Sequence, residues 1–133
     1  MPNIRTLVVD DLEEMRHFVG SKLAETTQCQ VVGEASDGFQ AVKEAERLQP
    51  DLILLDIGLP TLNGIQAARR IRELSPNSKI MFFTQNCSSE IAQGALRTGA
   101  NGYLLKSDAL DLPCAIETIL RGEQFVSSRV KGN

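Results

Sequence analysis

The sequence predicts an α/β fold, a parallel sheet with helices packed on both of its faces. Two observations carry that prediction. Five short runs rich in Val, Ile, Leu or aromatic residues ("IRTLVVD", "CQVVGEAS", "PDLILLD", "SKIMFFT" and "ANGYLLK") alternate with segments whose apolar residues recur about three and four apart. The middle run, "LILL", is apolar at every position instead of every second one, as expected of a strand covered on both faces.

Taken in order, the run from Ile4 gives a first strand, and Met15, Phe18, Val19 and Leu23 make the buried stripe of the helix after it. The second strand follows Cys29, and its helix carries Ala41, Val42, Ala45 and Leu48. The third strand, Leu52 to Leu55, leads to a helix with Ile65, Ala68, Ile71 and Leu74. The fourth precedes Ile91, Ala92, Ala95 and Leu96, and the fifth precedes Leu112, Ala115, Ile116 and Ile119. Successive βα units joined by right-handed crossovers fit a five-stranded parallel sheet in the order 2-1-3-4-5. The result is a single three-layer αβα domain of the flavodoxin-like (βα)5 kind, spanning residues 1–122. In "RGEQFVSSRVKGN" the periodicity is lost, so residues 123–133 are expected to form the exit from the domain.

Composition narrows the function. A chain of 133 residues can bury roughly two thirds of its unfolded surface in one core. Its apolar runs are only a few residues long, too short to span a bilayer, and the N-terminus has no signal-peptide pattern. A cytoplasmic protein with no membrane partner is expected. Fourteen basic against 17 acidic residues give a net charge of −3, and the basic residues are scattered, unlike a nucleic-acid footprint. Cys29, Cys87 and Cys114 form no C-x-x-C pair and read as small buried thiols in a reducing compartment. His17 is the one histidine and reads as an ordinary helical residue.

In an open parallel sheet, ligands sit beyond the carboxyl ends of the strands, near the point where strand order reverses. The first strand ends in Asp10 and Asp11, the third in Asp56, the fourth in Thr84 and the fifth in Lys106. Three carboxylates brought together would repel one another, and a hard divalent cation such as Mg²⁺ is their natural partner. That ion would offset charge on a phosphoryl group and leave one carboxylate free to attack it; Lys106 and Thr84 would meet phosphate oxygens. Taken singly, each residue has a plainer reading. Asp11 with Glu14 resembles a helix capping box, Asp56 could cap a loop, and Thr84 and Lys106 could be an ordinary strand end and a solvated charge. Their agreement on one rim favours a phosphoryl site.

These residues resemble the receiver domain of two-component response regulators. The resemblance runs from about Ile4 to Arg121, with "LVVDD" as the acidic pair, "LILLDIGLPTLNG" as the phosphoacceptor block, "IMFFT" as the hydroxyl strand and "GANGYLLK" as the lysine strand. It implies that Asp56 accepts a phosphoryl group from a sensor histidine kinase. It further implies that Asp11, Asp56 and the Gly58 carbonyl ligate Mg²⁺, with Asp10 contributing directly or through water. Lys106 and Thr84 would contact the phosphate, and Tyr103 would act with Thr84 as the conformational switch.

The tail "GANGYLLKSDALDLPCAIETILRGEQFVSSRV" is similar to receivers of the NarL/FixJ (LuxR-type) subfamily. That likeness implies a linker toward a C-terminal helix-turn-helix domain outside this chain, through which alone DNA would be bound. It also implies homodimerisation on phosphorylation and control of transcription. Enzymatic turnover of an external substrate is not expected. The alternatives are an aspartate-nucleophile phosphohydrolase, disfavoured because Gly58 stands where a second acid would be needed, and a phosphate-independent pseudo-receiver. Nucleotide binding is disfavoured by the lack of G-x-G-x-x-G or a Walker loop after the first strand.

Overall fold

A computed structural model describes residues 3–130. Its parallel strands are β1 (Ile4–Val9), β2 (Cys29–Ala35), β3 (Leu52–Leu55), β4 (Lys79–Thr84), β5 (Gly102–Leu105) and β6 (Phe125–Val126). Helices α1 (Glu13–Thr26), α2 (Gly38–Leu48), α3 (Gly64–Leu74), α4 (Ser89–Leu96) and α5 (Leu112–Leu120) connect them, with a 3₁₀ segment at Lys106–Asp111. All described peptide bonds are trans. The strand order is β2-β1-β3-β4-β5-β6.

The first five strands thus take the expected order. The sixth corrects the expectation that the chain simply leaves the domain after residue 122. Phe125 and Val126 pair in register with Gly102 and Tyr103 of β5.

Alternation along the strands sorts the core into two layers. Leu7, Val9, Ile53, Leu55, Ile80, Phe82, Tyr103 and Leu105 face one side, packed against Ala41, Ala45, Ala67, Ile71, Ala92 and Ala95 of α2, α3 and α4. Val8, Leu52, Leu54, Met81, Phe83 and Leu104 face the other, packed against Val19 and Leu23 of α1 and Leu112, Ala115, Ile116 and Ile119 of α5. Every residue of β3 is buried, as "LILL" requires of a central strand.

Two expected stripe residues are not core. Phe18 is 41 % exposed and Leu74 is 38 % exposed. The Lys22 ammonium lies 5.9 Å from the centre of the Phe18 ring, so this aromatic is satisfied at the surface by a cation instead of by the sheet. The cysteine expectation also fails in part: Cys29 is buried, but Cys87 and Cys114 are exposed.

Two glycines are required by close approach. A Cβ on Gly64 would lie 2.0 Å from the Asp56 carbonyl oxygen, and one on Gly38 would lie 2.0 Å from that of Leu62. Gly64 thereby lets α3 begin directly against the end of β3.

Candidate functional site

The strand ends deliver the site. Beyond β1, the Asp10 N–H donates to the Ala35 carbonyl at 3.1 Å, and beyond β3 the Asp56 N–H donates to the Val9 carbonyl at 3.1 Å. The ladder therefore runs one residue past both strands and brings the two aspartates side by side. Asp10 and Asp56 are buried, whereas Asp11 is exposed at the mouth. Carboxylate oxygens of Asp10, Asp11 and Asp56 all lie within 4.8 Å of one another.

Lys106 arrives from the end of β5. Its ammonium donates to Asp10 Oδ2 at 2.7 Å and to Asp56 Oδ2 at 2.9 Å. The remaining oxygens of both acids are held by backbone. Asp10 Oδ1 accepts the Leu12 N–H at 3.0 Å, and Asp56 Oδ1 accepts the Ile57 N–H at 2.7 Å. Burial would lower the Lys106 pKa, but the hydrogen bonds and negative charge of Asp10 and Asp56 outweigh it and hold the ammonium above its ordinary value. Burial pushes the Asp10 carboxyl up, and the Asp56 charge adds to that, against the lowering pull of Lys106 and the Leu12 N–H.

The capping-box reading of Asp11 with Glu14 is corrected. Helix α1 starts at Glu13 with Leu12 as its N-cap, and no side chain caps it. The carboxylate of Asp11 is left to the crevice. The crevice has a volume of about 410 Å³ and is lined by Asp11, Asp56, Gly58, Thr84, Asn86 and Lys106, among others. A larger groove of about 810 Å³ between α1 and β2 holds Arg16 and Glu34, which are already paired with each other at 2.8 Å. Convergent chemistry, not volume, distinguishes the smaller crevice.

Thr84 is buried, and its Oγ1 accepts the Asn86 N–H at 3.2 Å. Tyr103 stands apart from the crevice. It is fully buried, and its phenol donates to the Asn86 carbonyl at 2.7 Å. Burial first, then nearby Cys87 and Asp56, push the Tyr103 pKa up to about 12. Thr84 and Tyr103 thus hold the two backbone groups of one residue, Asn86. The sequence carried no sign of that link, because it runs through main-chain atoms.

Gly58 lines the crevice, and a Cβ there would meet nothing within 4 Å. The openness of this loop therefore does not depend on its glycine. Ile57 and Leu12 were also invisible in the sequence as site residues, because they contribute only their N–H groups.

The donor set fits a hard divalent cation. All three candidate side-chain ligands are carboxylates, and against one ammonium they leave two negative charges (3 − 1 = 2) with Asp11 open to solvent.

Known proteins resemble this chain in both sequence and fold. The family model described as the response regulator receiver domain matches residues 6–117. The nitrate/nitrite response regulator protein NarL of Escherichia coli K12 is 38% identical over 122 residues, covering 91% of this chain and 56% of NarL. The transcriptional regulatory protein LiaR of Bacillus subtilis is 37% identical over 131 residues, covering 97% of this chain and 62% of LiaR. The chain thus spans about 60% of these curated relatives. Among solved structures, a LuxR-family two-component response regulator from Aurantimonas sp. SI85-9A1 superposes with a TM-score of 0.91 at 33% identity, covering 97% of this chain and 93% of that one. The response regulator domain of Thermotoga maritima CheB gives a TM-score of 0.81 at 32% identity, covering 90% and 96%.

Proposed function

The chain belongs to the response-regulator receiver family, and from that premise we propose that it is a switch thrown by phosphorylation of Asp56. The observation that carries the reading is the triangle of Asp10, Asp56 and Lys106 beside exposed Asp11 at the switch point of the sheet. In the proposed reaction a histidine kinase's phosphohistidine is the donor. The N–P bond breaks, an O–P bond to the Asp56 carboxylate forms, and the freed imidazole takes up a proton. The carboxylate oxygen itself is the nucleophile, so no general base is needed.

Asp11 and Asp56, with the Gly58 carbonyl, would hold Mg²⁺, and Asp10 would assist directly or through water. A bound Mg²⁺ supplies positive charge against the oxygens of the transferring group. Lys106 moves its hydrogen bonds from the carboxylates toward a phosphoryl oxygen. The Thr84 hydroxyl accepts from Asn86 N–H and has no acceptor of its own among the described residues, so its proton is available to the phosphoryl group. If Thr84 shifts to donate that proton, its bond to the Asn86 N–H is disturbed, and the Asn86 carbonyl on the far side of the same residue is where Tyr103 is anchored. This chain of contacts supports a Thr84–Tyr103 switch.

By extension from the relatives, the output is transcription through a DNA-binding domain outside this chain, with homodimerisation on phosphorylation. The chemistry is directed at the protein itself. The test is labelling with phosphoramidate in the presence of Mg²⁺. Wild type becomes labelled, and Asp56→Ala does not; equal labelling of the variant would remove Asp56 from the reaction.

A further inference from the structure

The segment after α5 continues the sheet and then does something a strand does not. The Phe125 N–H donates to the Asn101 carbonyl at 3.1 Å, and the Ser127 N–H to the Tyr103 carbonyl at 2.9 Å. The next group on β5 is the Leu105 N–H, and it donates to the side-chain Oγ of Ser127 at 2.9 Å. A hydroxyl stands where a longer strand would have placed a carbonyl. Ser127 is 4 % exposed, so without this hydroxyl the Leu105 N–H would lack a partner in a dry site.

The grip extends past Ser127. The Val130 N–H turns back to the Ser127 carbonyl at 3.1 Å, and Val130 packs on the apolar layer containing Tyr103 and Leu105. The Arg129 guanidinium lies 3.5 Å from Asp108, whose side chain is largely buried. Residues 125–130 thus hold the main chain at Asn101, Tyr103 and Leu105 and reach a side chain at Asp108, on both sides of Lys106. The same short tail therefore braces the backbone of Tyr103 and of Leu105, the residue that precedes Lys106.

We propose that Ser127 is a positioning residue for Lys106, and that docking of residues 125–130 against β5 is coupled to occupation of the Asp56 crevice. This deepens the phosphorylation reading and rests on it. Coupling of this kind is reciprocal. A docked tail favours the geometry in which Lys106 meets a phosphoryl group, and a phosphoryl group held by Lys106 stabilises the docked tail. The segment leading out of the domain is thereby tied to the state of the site with no helix required to move.

The experiment compares wild type, Ser127→Ala and Arg129→Gln by amide hydrogen exchange and by phosphoramidate labelling. Exchange at Leu54 in β3 serves as the control for folding. In wild type, Mg²⁺ with beryllofluoride slows exchange at the Leu105 and Ser127 amides. Ser127→Ala raises exchange at Leu105 without changing Leu54, loses the beryllofluoride response there, and labels about three- to tenfold more slowly, the factor matching one neutral hydrogen bond. Arg129→Gln, which leaves the buried hydroxyl intact, moves both readouts the same way by a smaller factor.

If Ser127→Ala labels at the wild-type rate while its Leu105 amide exchanges faster, the brace is structural only and the proposal is overturned, with Asp56 still the acceptor. If wild type neither labels nor responds to beryllofluoride, the Asp56 reading fails and takes this proposal with it.

Discussion

Helices α2, α3 and α4 begin differently from α1. Asp37 accepts the Gln40 N–H at 2.8 Å, Asn63 and Gln66 form a complete capping box, and Ser88 accepts the Ile91 N–H at 3.4 Å. Helix α1 has the residues for the same device just upstream, yet it starts from Leu12 with no side-chain cap. Asp10 and Asp11 are withheld from the helix and turned into the crevice. Helix α5 also starts without a side-chain cap, with Pro113 in its first turn; at α1 the carboxylates that could have capped the helix face the crevice instead, at a cost of about 1 kcal/mol for the missing cap.

That contrast can be broken from either side. The largest effect is expected at Lys106, the cation paired with the two buried acids of the site, Asp10 and Asp56. Lys106→Met leaves Asp10 and Asp56 buried without their partner. Denaturant melts should show about 3 kcal/mol of lost stability, partly restored by Mg²⁺.

An alkaline titration of wild type reads the same balance. Lys106 and Tyr103 both have folded-state pKa values above their ordinary ones, so their contributions are complete below pH 10 and fade as pH rises through the folded values. Melting temperature should therefore fall between pH 10 and 12, and Tyr103→Phe should make that fall shallower.

At a helix that spends its cap on stability, Asn63→Ala should cost about 1 kcal/mol in a denaturant melt and leave labelling of Asp56 unchanged. The smallest effect is the converse. Leu12→Ser would supply the cap that α1 lacks, adding about 0.5 kcal/mol to stability. Mg²⁺ affinity should stay the same, because the acids remain where they were.

Legibility in the sequence followed the same division. Strands β1 to β5 and the buried faces of α2 to α5 could be read because a two-faced sheet imposes regular apolar patterns on its parts. Asp10, Asp11, Asp56, Thr84 and Lys106 could be read because topology fixes where strand ends meet. Four features could not be read this way. β6 is two residues long, too short to show a period, and the bond that extends its hold on β5 is made by the hydroxyl of Ser127, which no strand pattern marks. Phe18 fits the α1 stripe by spacing, but it lies far enough round the helix to meet Lys22 instead of the sheet. The capping box of α1 failed because local propensity offered one use for the aspartates and tertiary assembly another. Links made by main-chain atoms, such as Asn86 between Thr84 and Tyr103, leave no mark on residue type at all.

The most direct test of the account is to locate the phosphoryl group. After reaction with phosphoramidate and Mg²⁺, borohydride reduction converts an aspartyl phosphate to homoserine, which peptide mass spectrometry can place. Homoserine at position 56 and nowhere else, lost when Mg²⁺ is chelated, is the predicted result. Modification at Asp10 or Asp11, or modification of Asp56 that persists without a divalent cation, would contradict it.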